Sequence, residues 1–184
     1  MSEIVFFLEE LSAQAMLEGF LPKLLPEKIR CRYIVFEGKQ DLEKQLVKRM
    51  RGYRVPDVRF VVLRDKDTED CREVKQRLKG KCAEALHPAS LVRVACHELE
   101  SWYLGDLAAV EAGLGLNGLA RHQHRAPYDK PDDLAAPARK LQAIAPAYQK
   151  IGGSRAIGPH LDPANRRSHS FGVFVAGIQK LANQ

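Results

Sequence analysis

Long apolar stretches are missing from this chain of 184 residues. No run approaches the roughly 20 residues that a bilayer-spanning helix needs, so the sequence offers no membrane helix. Cysteine is scarce: Cys31, Cys71, Cys82 and Cys96 are the four, and none belongs to a CxxC pair. Neither a zinc ribbon nor a dithiol redox motif is therefore written here, and reduced thiols in a cytoplasmic protein are expected. The six histidines are scattered apart from His122 and His124, whose setting, RHQHRAP, fits a solvated loop better than a metal site. Trp102 is the single tryptophan, and with Tyr103 it reads as a core anchor rather than a base-stacking platform. The start, MSEIVFFLEE, lacks a basic leader and turns acidic at once, unlike a signal peptide. No internal repeat and no low-complexity tract occurs.

What the chain does have is 45% hydrophobic residues, enough for one domain with a real core. Its formal net charge is +6, unevenly spread. Residues 1–114 hold 19 Lys and Arg against 19 Asp and Glu, whereas residues 115–184 hold 10 against 4. A neutral core with a basic end suits an anionic partner such as nucleic acid; the plainer alternative is a solvated basic surface.

Periodicity gives the element order. IVFFL at Ile4–Leu8 predicts a short buried strand, and Leu11–Leu25 repeats apolar residues at helical spacing, with Ser12 placed to cap it and Pro26 to end it. CRYIVF at Cys31–Phe36 predicts a second strand, followed by a helix that Asp41 is placed to cap. The third strand is Phe60–Arg64, whose β-branched run is the mark of burial on both faces. A charged helix over Thr68–Leu86 precedes a fourth strand, LVRVA, at Leu91–Ala95. Asp106 is placed to cap a helix over Leu107–Leu114, helical character returns at Leu134–Ile144, YQKIGGSRAIGPHLDPANRRSHSF is basic and hydroxyl-rich, and Phe171–Leu181 is amphipathic. Such alternation predicts an α/β fold with a Rossmann-like central parallel sheet of about four strands flanked by helices. Residues 1–114 form that core; residues 115–184 form a basic, loop-rich and mostly helical extension packing on it.

Parallel β-α units bring all βα turns to one edge, where open sheets place their ligands. At that edge the sequence puts Glu9-Glu10 after strand one, Glu37 after strand two, Asp65 and Asp67 after strand three, and Glu98 and Glu100 after strand four. Carboxylates held close raise each other's pKa unless a cation neutralises them, and a hard ion such as Mg2+ is the natural partner of oxygen ligands. For Asp67 the alternative is a helix cap. Lys39, Lys150, Arg155, Arg166 and Arg167 are candidate phosphate contacts or plain surface charges, and Ser154, Ser168 and Ser170 are candidate phosphate donors or caps.

These residues resemble a Toprim domain, in which one strand ends in a glutamate and a later one in DxD. The whole chain more closely resembles a bacterial Toprim-like family catalogued as a domain of unknown function, related to the overcoming-lysogenization-defect nucleases. The resemblance is carried by FLEELSA (Phe7–Ala13), GKQDL (Gly38–Leu42), VVLRDKDTEDC (Val61–Cys71), RVACHELESWYLGD (Arg93–Asp106), GSRAI (Gly153–Ile157) and NRRSHSFGVF (Asn165–Phe174). It implies a nuclease dependent on Mg2+ or Mn2+, with Glu9 and Glu100 as catalytic acids or bases, Asp65, Asp67 and Glu98 as metal ligands, nucleic acid as substrate and an ATPase as partner. A non-catalytic module of the same shape, binding nucleic acid or nucleotide, is the alternative. One departure stands out: Toprim domains carry Gly after the glutamate, and this chain has Glu10. A haloacid-dehalogenase phosphatase fits poorly, because its DxD follows the first strand.

Overall fold

A computed structural model of the chain describes residues 3–183. Its centre is a four-stranded, wholly parallel sheet: β1 (Glu3–Leu8), β2 (Arg30–Val35), β3 (Val58–Asp65) and β4 (Leu91–Ala95), in the order β2-β1-β3-β4. All six residues of β1 are buried because both sheet faces are covered. Strand alternation sends Ile4, Phe6 and Leu8 into one apolar core and Val5 and Phe7 into the other. The second core is closed by α2 (Lys39–Arg51) and α3 (Cys71–Glu84) through Leu42, Leu46, Met50, Val74 and Leu78. The first is closed by α1 (Leu11–Phe20), α4 (Glu100–Leu104), α5 (Leu107–Leu114), α6 (Pro137–Ile144), α7 (Lys150–Ile157) and α8 (His169–Ala182). The residues beyond 114 do not stand apart: α7 lies against α1 and α5, and α8 lies against β4. Two strand arginines fix α8, Arg59 donating to the Leu181 carbonyl at 2.6 Å and Arg93 to that of Val173 at 3.0 Å.

Several boundaries differ from the periodic reading. Helix α1 stops at Phe20 and tightens into a 3-10 turn at Leu21–Lys23, since the ring of Pro22 cannot sit inside an α-helix. Ser12 is buried in its first turn rather than capping it, and its hydroxyl donates to Glu10 at 3.1 Å. Gly38, at φ +90°, is the N-cap of α2, while Asp41 reaches back to accept the Glu37 N–H at 3.1 Å. Asp70, not Asp67, caps α3, accepting from the N–H groups of Arg72 and Glu73 at 2.8 and 3.1 Å. Asp106 caps α5 as expected. Helix α6 begins at Pro137, whose missing N–H costs nothing in a first turn.

Helix α7 has no counterpart in the periodic reading. Its two glycines lower helix propensity, but Gly153 is where the Tyr148 ring lies; a Cβ there would meet the ring at 2.3 Å. Packing against α1 overrides propensity. No helix among the described residues is long and apolar enough to cross a membrane.

Candidate metal centre at the sheet switch point

The chain leaves β1 to one side for β2 and then crosses back to β3, so β1 and β3 are neighbours at the point where strand order reverses. That is where open α/β sheets form their crevice. The register pairs Leu8 with Leu63 and Asp65 with Ala95. Glu9 therefore emerges beside the last turn of β3, and its carboxylate accepts the Asp65 N–H at 3.0 Å. A cavity of about 10 Å3, bounded by Glu9, Glu10, Ser12 and Asp65, opens at this junction, room for one water-sized occupant.

The electrostatics are those of carboxylates short of positive charge. Burial pushes Glu9 above the usual carboxylate range, with help from Asp67 and Glu10. Burial also pushes Asp65 well up, and Glu9, Glu100 and Glu10 add to it by repulsion. Glu100, on α4, is 1% exposed and likewise raised by burial, more than Lys150 and the Tyr148 hydroxyl lower it. One of its oxygens accepts from Tyr148 at 3.0 Å; the other, Oε2, has no hydrogen-bond partner. An orphaned, buried carboxylate oxygen is costly. Three acids with raised pKa and one orphaned oxygen make a donor set whose chemistry fits a hard divalent cation. As the side chains stand, no three His, Cys, Asp or Glu among the described residues are grouped closely enough to hold an ion.

The remaining predicted residues are disposed as follows. Asp67 has left-handed backbone, φ +54°, and its N–H donates to the carbonyl of His97, which is also left-handed at φ +58°. That turn gives its carboxylate to Lys39, at the start of α2, in a 2.6 Å ion pair. Glu98 accepts the N–H of Ala138 in the first turn of α6 at 2.8 Å; of the two acids after β4, Glu100 is the one that raises Asp65. Lys150 reaches back from α7 to pair with Glu10 at 2.5 Å. Ser154 corrects the reading as a phosphate donor: it is 0% exposed, facing Tyr103 and Tyr148 inside the core. Ser168 caps α8, and Ser170 accepts from the Trp102 indole at 2.9 Å, so both are structural. Arg166 and Arg167 are exposed but donate to main-chain carbonyls of Pro163, Asn165 and Gly105. Arg155 is exposed on α7.

Two features had no flag in the sequence reading. Tyr148, in a loop without periodicity, holds Glu100, and nothing local marks it. Arg64 interrupts a buried strand, a legible oddity: its guanidinium is enclosed and pairs with Glu43 and Glu69, which Arg77 bridges in turn.

The sheet order, the glutamate at the end of β1 and the acidic turn after β3 define a parallel α/β domain with carboxylates gathered at its switch point. The profile of one family, described as Domain of unknown function (DUF4276), matches residues 8–179, and the chain belongs to that family. Among solved structures, it is similar to the C-terminal region of the Burkholderia pseudomallei OLD protein, with a TM-score of 0.55 and 16% identity over 97% of this chain and 98% of that one. At that identity the likeness is one of fold. No curated protein matches the chain.

Proposed function

We propose that the chain is a divalent-metal-dependent nuclease of the Toprim-like kind, using Mg2+ or Mn2+ to cleave phosphodiester bonds in nucleic acid, with an ATPase as its working partner. The single observation that carries this is the convergence of Glu9 and Asp65 at the switch point, with the orphaned oxygen of Glu100 as a third carboxylate against Asp65. Glu9, Asp65 and Glu100 would hold the metal, with Asp67 joining once released from Lys39. Bound metal would polarise the scissile phosphate and lower the pKa of an attacking water. The ammonium of Lys150, exposed beside Glu10, would then face the phosphate charge. Glu98 is left out of the ligand set because its carboxylate serves α6.

A second reading has its own support. The lock of Asp67 on Lys39, the Glu10–Lys150 pair where Toprim domains have glycine, and the absence of a ready three-ligand group among the described residues favour a non-catalytic module that binds nucleic acid or nucleotide.

Incubating plasmid and single-stranded DNA and RNA with the protein in Mg2+ or Mn2+ separates the two. Metal-dependent cleavage that is lost in Glu9→Gln and Asp65→Asn establishes the nuclease. Metal-independent binding, equal in those variants and without cleavage in the presence of the ATPase, establishes the module.

A further inference from the structure

Counted along the chain, residues 1–114 are neutral. Counted by layer, they are strongly polarised. Helix α2 holds five Lys and Arg against two Asp and Glu, and α3 holds the same. Two adjacent helices thus carry plus three each, an excess as large as that of the whole stretch 115–184. The rest of residues 1–114 holds nine basic and fifteen acidic side chains, many at the carboxyl edge of the sheet. The fold therefore places a basic flank beside an acidic rim.

The flank's charge is also unspent. Helical spacing with Leu42, Leu46 and Met50 inward puts Lys44, Lys48 and Arg51 on the outer face of α2; with Val74, Leu78 and Cys82 inward, Arg72 and Lys79 lie on the side of α3 turned toward the β4 edge, where Lys79 stands near Ser90 and Lys180. All five are exposed. Among the described residues Lys44, Lys48, Arg72 and Lys79 are in no ion pair, whereas Arg51 is tied to Glu84, donating to its main-chain carbonyl at 2.7 Å and standing 4.0 Å from its carboxylate. Of the four acids on these helices, Glu43 is used on Arg64 and Arg77 and Asp41 on the Glu37 N–H, while Glu73 and Glu84 stay exposed on α3 and leave the layer a net excess of positive charge. Both helices start at the carboxyl edge, where Lys39 meets Asp67, and α2 runs back from it for 13 residues, about 20 Å.

We infer that the exposed faces of α2 and α3 are the docking surface for the phosphate backbone of a nucleic acid, laid along the helices so that it arrives at the rim beside Asp65. This rests on the nuclease reading for its direction but not for its test. A row of phosphates complements unpaired cations spaced along two parallel helices, and each contact releases counterions. Of the basic residues beyond 114, Arg166 and Arg167 are tied to carbonyls and Lys150 to Glu10.

The test is binding of a fluorescein-labelled 30-base-pair DNA in EDTA, followed by anisotropy across a salt series. Lys44→Glu, Lys48→Glu, Arg72→Glu and Lys79→Glu combined, checked for an unchanged melting curve, are expected to weaken binding at least tenfold. Losing four phosphate contacts should make the log–log salt slope shallower by about 3 to 4 units. Arg166→Glu with Arg167→Glu is expected to leave both nearly unchanged. Equal affinity and slope in the fourfold variant overturn the inference, as does tighter binding of poly-glutamate or phosphatidylserine vesicles than of DNA at the same salt. Because no metal is present, loss of cleavage in the Asp65→Asn protein neither mimics nor masks these outcomes.

Discussion

The Glu9 carboxylate accepts the main-chain N–H of Asp65 at 3.0 Å. This one bond joins the ends of two strands separated by 56 positions in sequence and holds one acid against another. A carboxylate accepting a backbone N–H is ordinarily lowered in pKa, yet Glu9 is raised, because burial outweighs the bond. Glu9 and Asp65 thus sit in mutual repulsion, which Arg64, 4.0 Å from Glu9, offsets only in part.

Relieving that repulsion is measurable. Asp65→Asn keeps the side-chain shape and removes one charge, so without divalent metal it is expected to raise the melting temperature by on the order of a few degrees. Under the nuclease reading Mg2+ should stabilise the wild type by binding only the folded state, and the same change should abolish that gain. Differential scanning fluorimetry with EDTA and with Mg2+ reads both; a lower melting temperature for the variant in EDTA would contradict the repulsion argument.

The pH dependence has a defined sign. Glu9, Asp65 and Glu100 have folded-state pKa values above their unfolded ones. Their contribution is therefore fully present below the ordinary carboxylate range and is lost as pH rises through the raised values. Glu3, lowered chiefly by Tyr53, works in the opposite sense, so the clean quantity is the difference between wild type and a Glu9→Gln, Glu100→Gln variant. In EDTA the wild type should lose stability relative to that variant as pH rises above the ordinary carboxylate range, about pH 4, and under the nuclease reading Mg2+ should close the gap. Urea unfolding at several pH values checks this.

Arg64 is expected to matter more than Arg77, although both bind Glu43 and Glu69. The Arg64 side chain is 0% exposed and that of Arg77 38%. Arg64→Leu removes the enclosed member of the network, leaving the half-buried Glu43 and Glu69 with Arg77 alone, and should cost about 2 kcal/mol. Arg77→Ala, with water at hand, should cost about 1 kcal/mol or less. Chemical denaturation of the two variants gives the comparison.

Gly153→Ala tests the seat of Tyr148. The new methyl would meet the ring at 2.3 Å, an overpacking that costs about 1–3 kcal/mol. Because Tyr148 donates to Glu100 at 3.0 Å, the variant should also weaken Mn2+ binding, measured by titration calorimetry. Gly152→Ala on the same helix has only one atom, 3.9 Å away, near its added methyl and should be neutral or stabilising.

Much of this was legible. The apolar runs Ile4–Leu8 and Val61–Leu63 announced strands buried on both faces, and Asp106 before Leu107 announced a capped helix, since each depends on neighbours within a few positions. The acids at four strand ends were visible for the same reason. The helix over Lys150–Ile157 was not, because its glycines argue against it until Tyr148 is seen lying on one of them. Ser154 looked like a surface hydroxyl for want of that helix.

The sequence by itself determined which segments are strands, which are helices and that carboxylates gather at one edge, because those follow from local periodicity and the handedness of β-α units. Only the tertiary structure decided that β1 lies between β2 and β3, and hence that Glu9 touches Asp65. It also decided that Glu98 serves α6 while Glu100 stays orphaned, and that Asp67 turns to Lys39. It further decided that ten cations spread through an electrically neutral stretch stand together on one flank. The physical reason is common to all: strand order and helix adjacency are set by burying apolar faces against distant partners, and polar side chains take whatever neighbours that burial gives them.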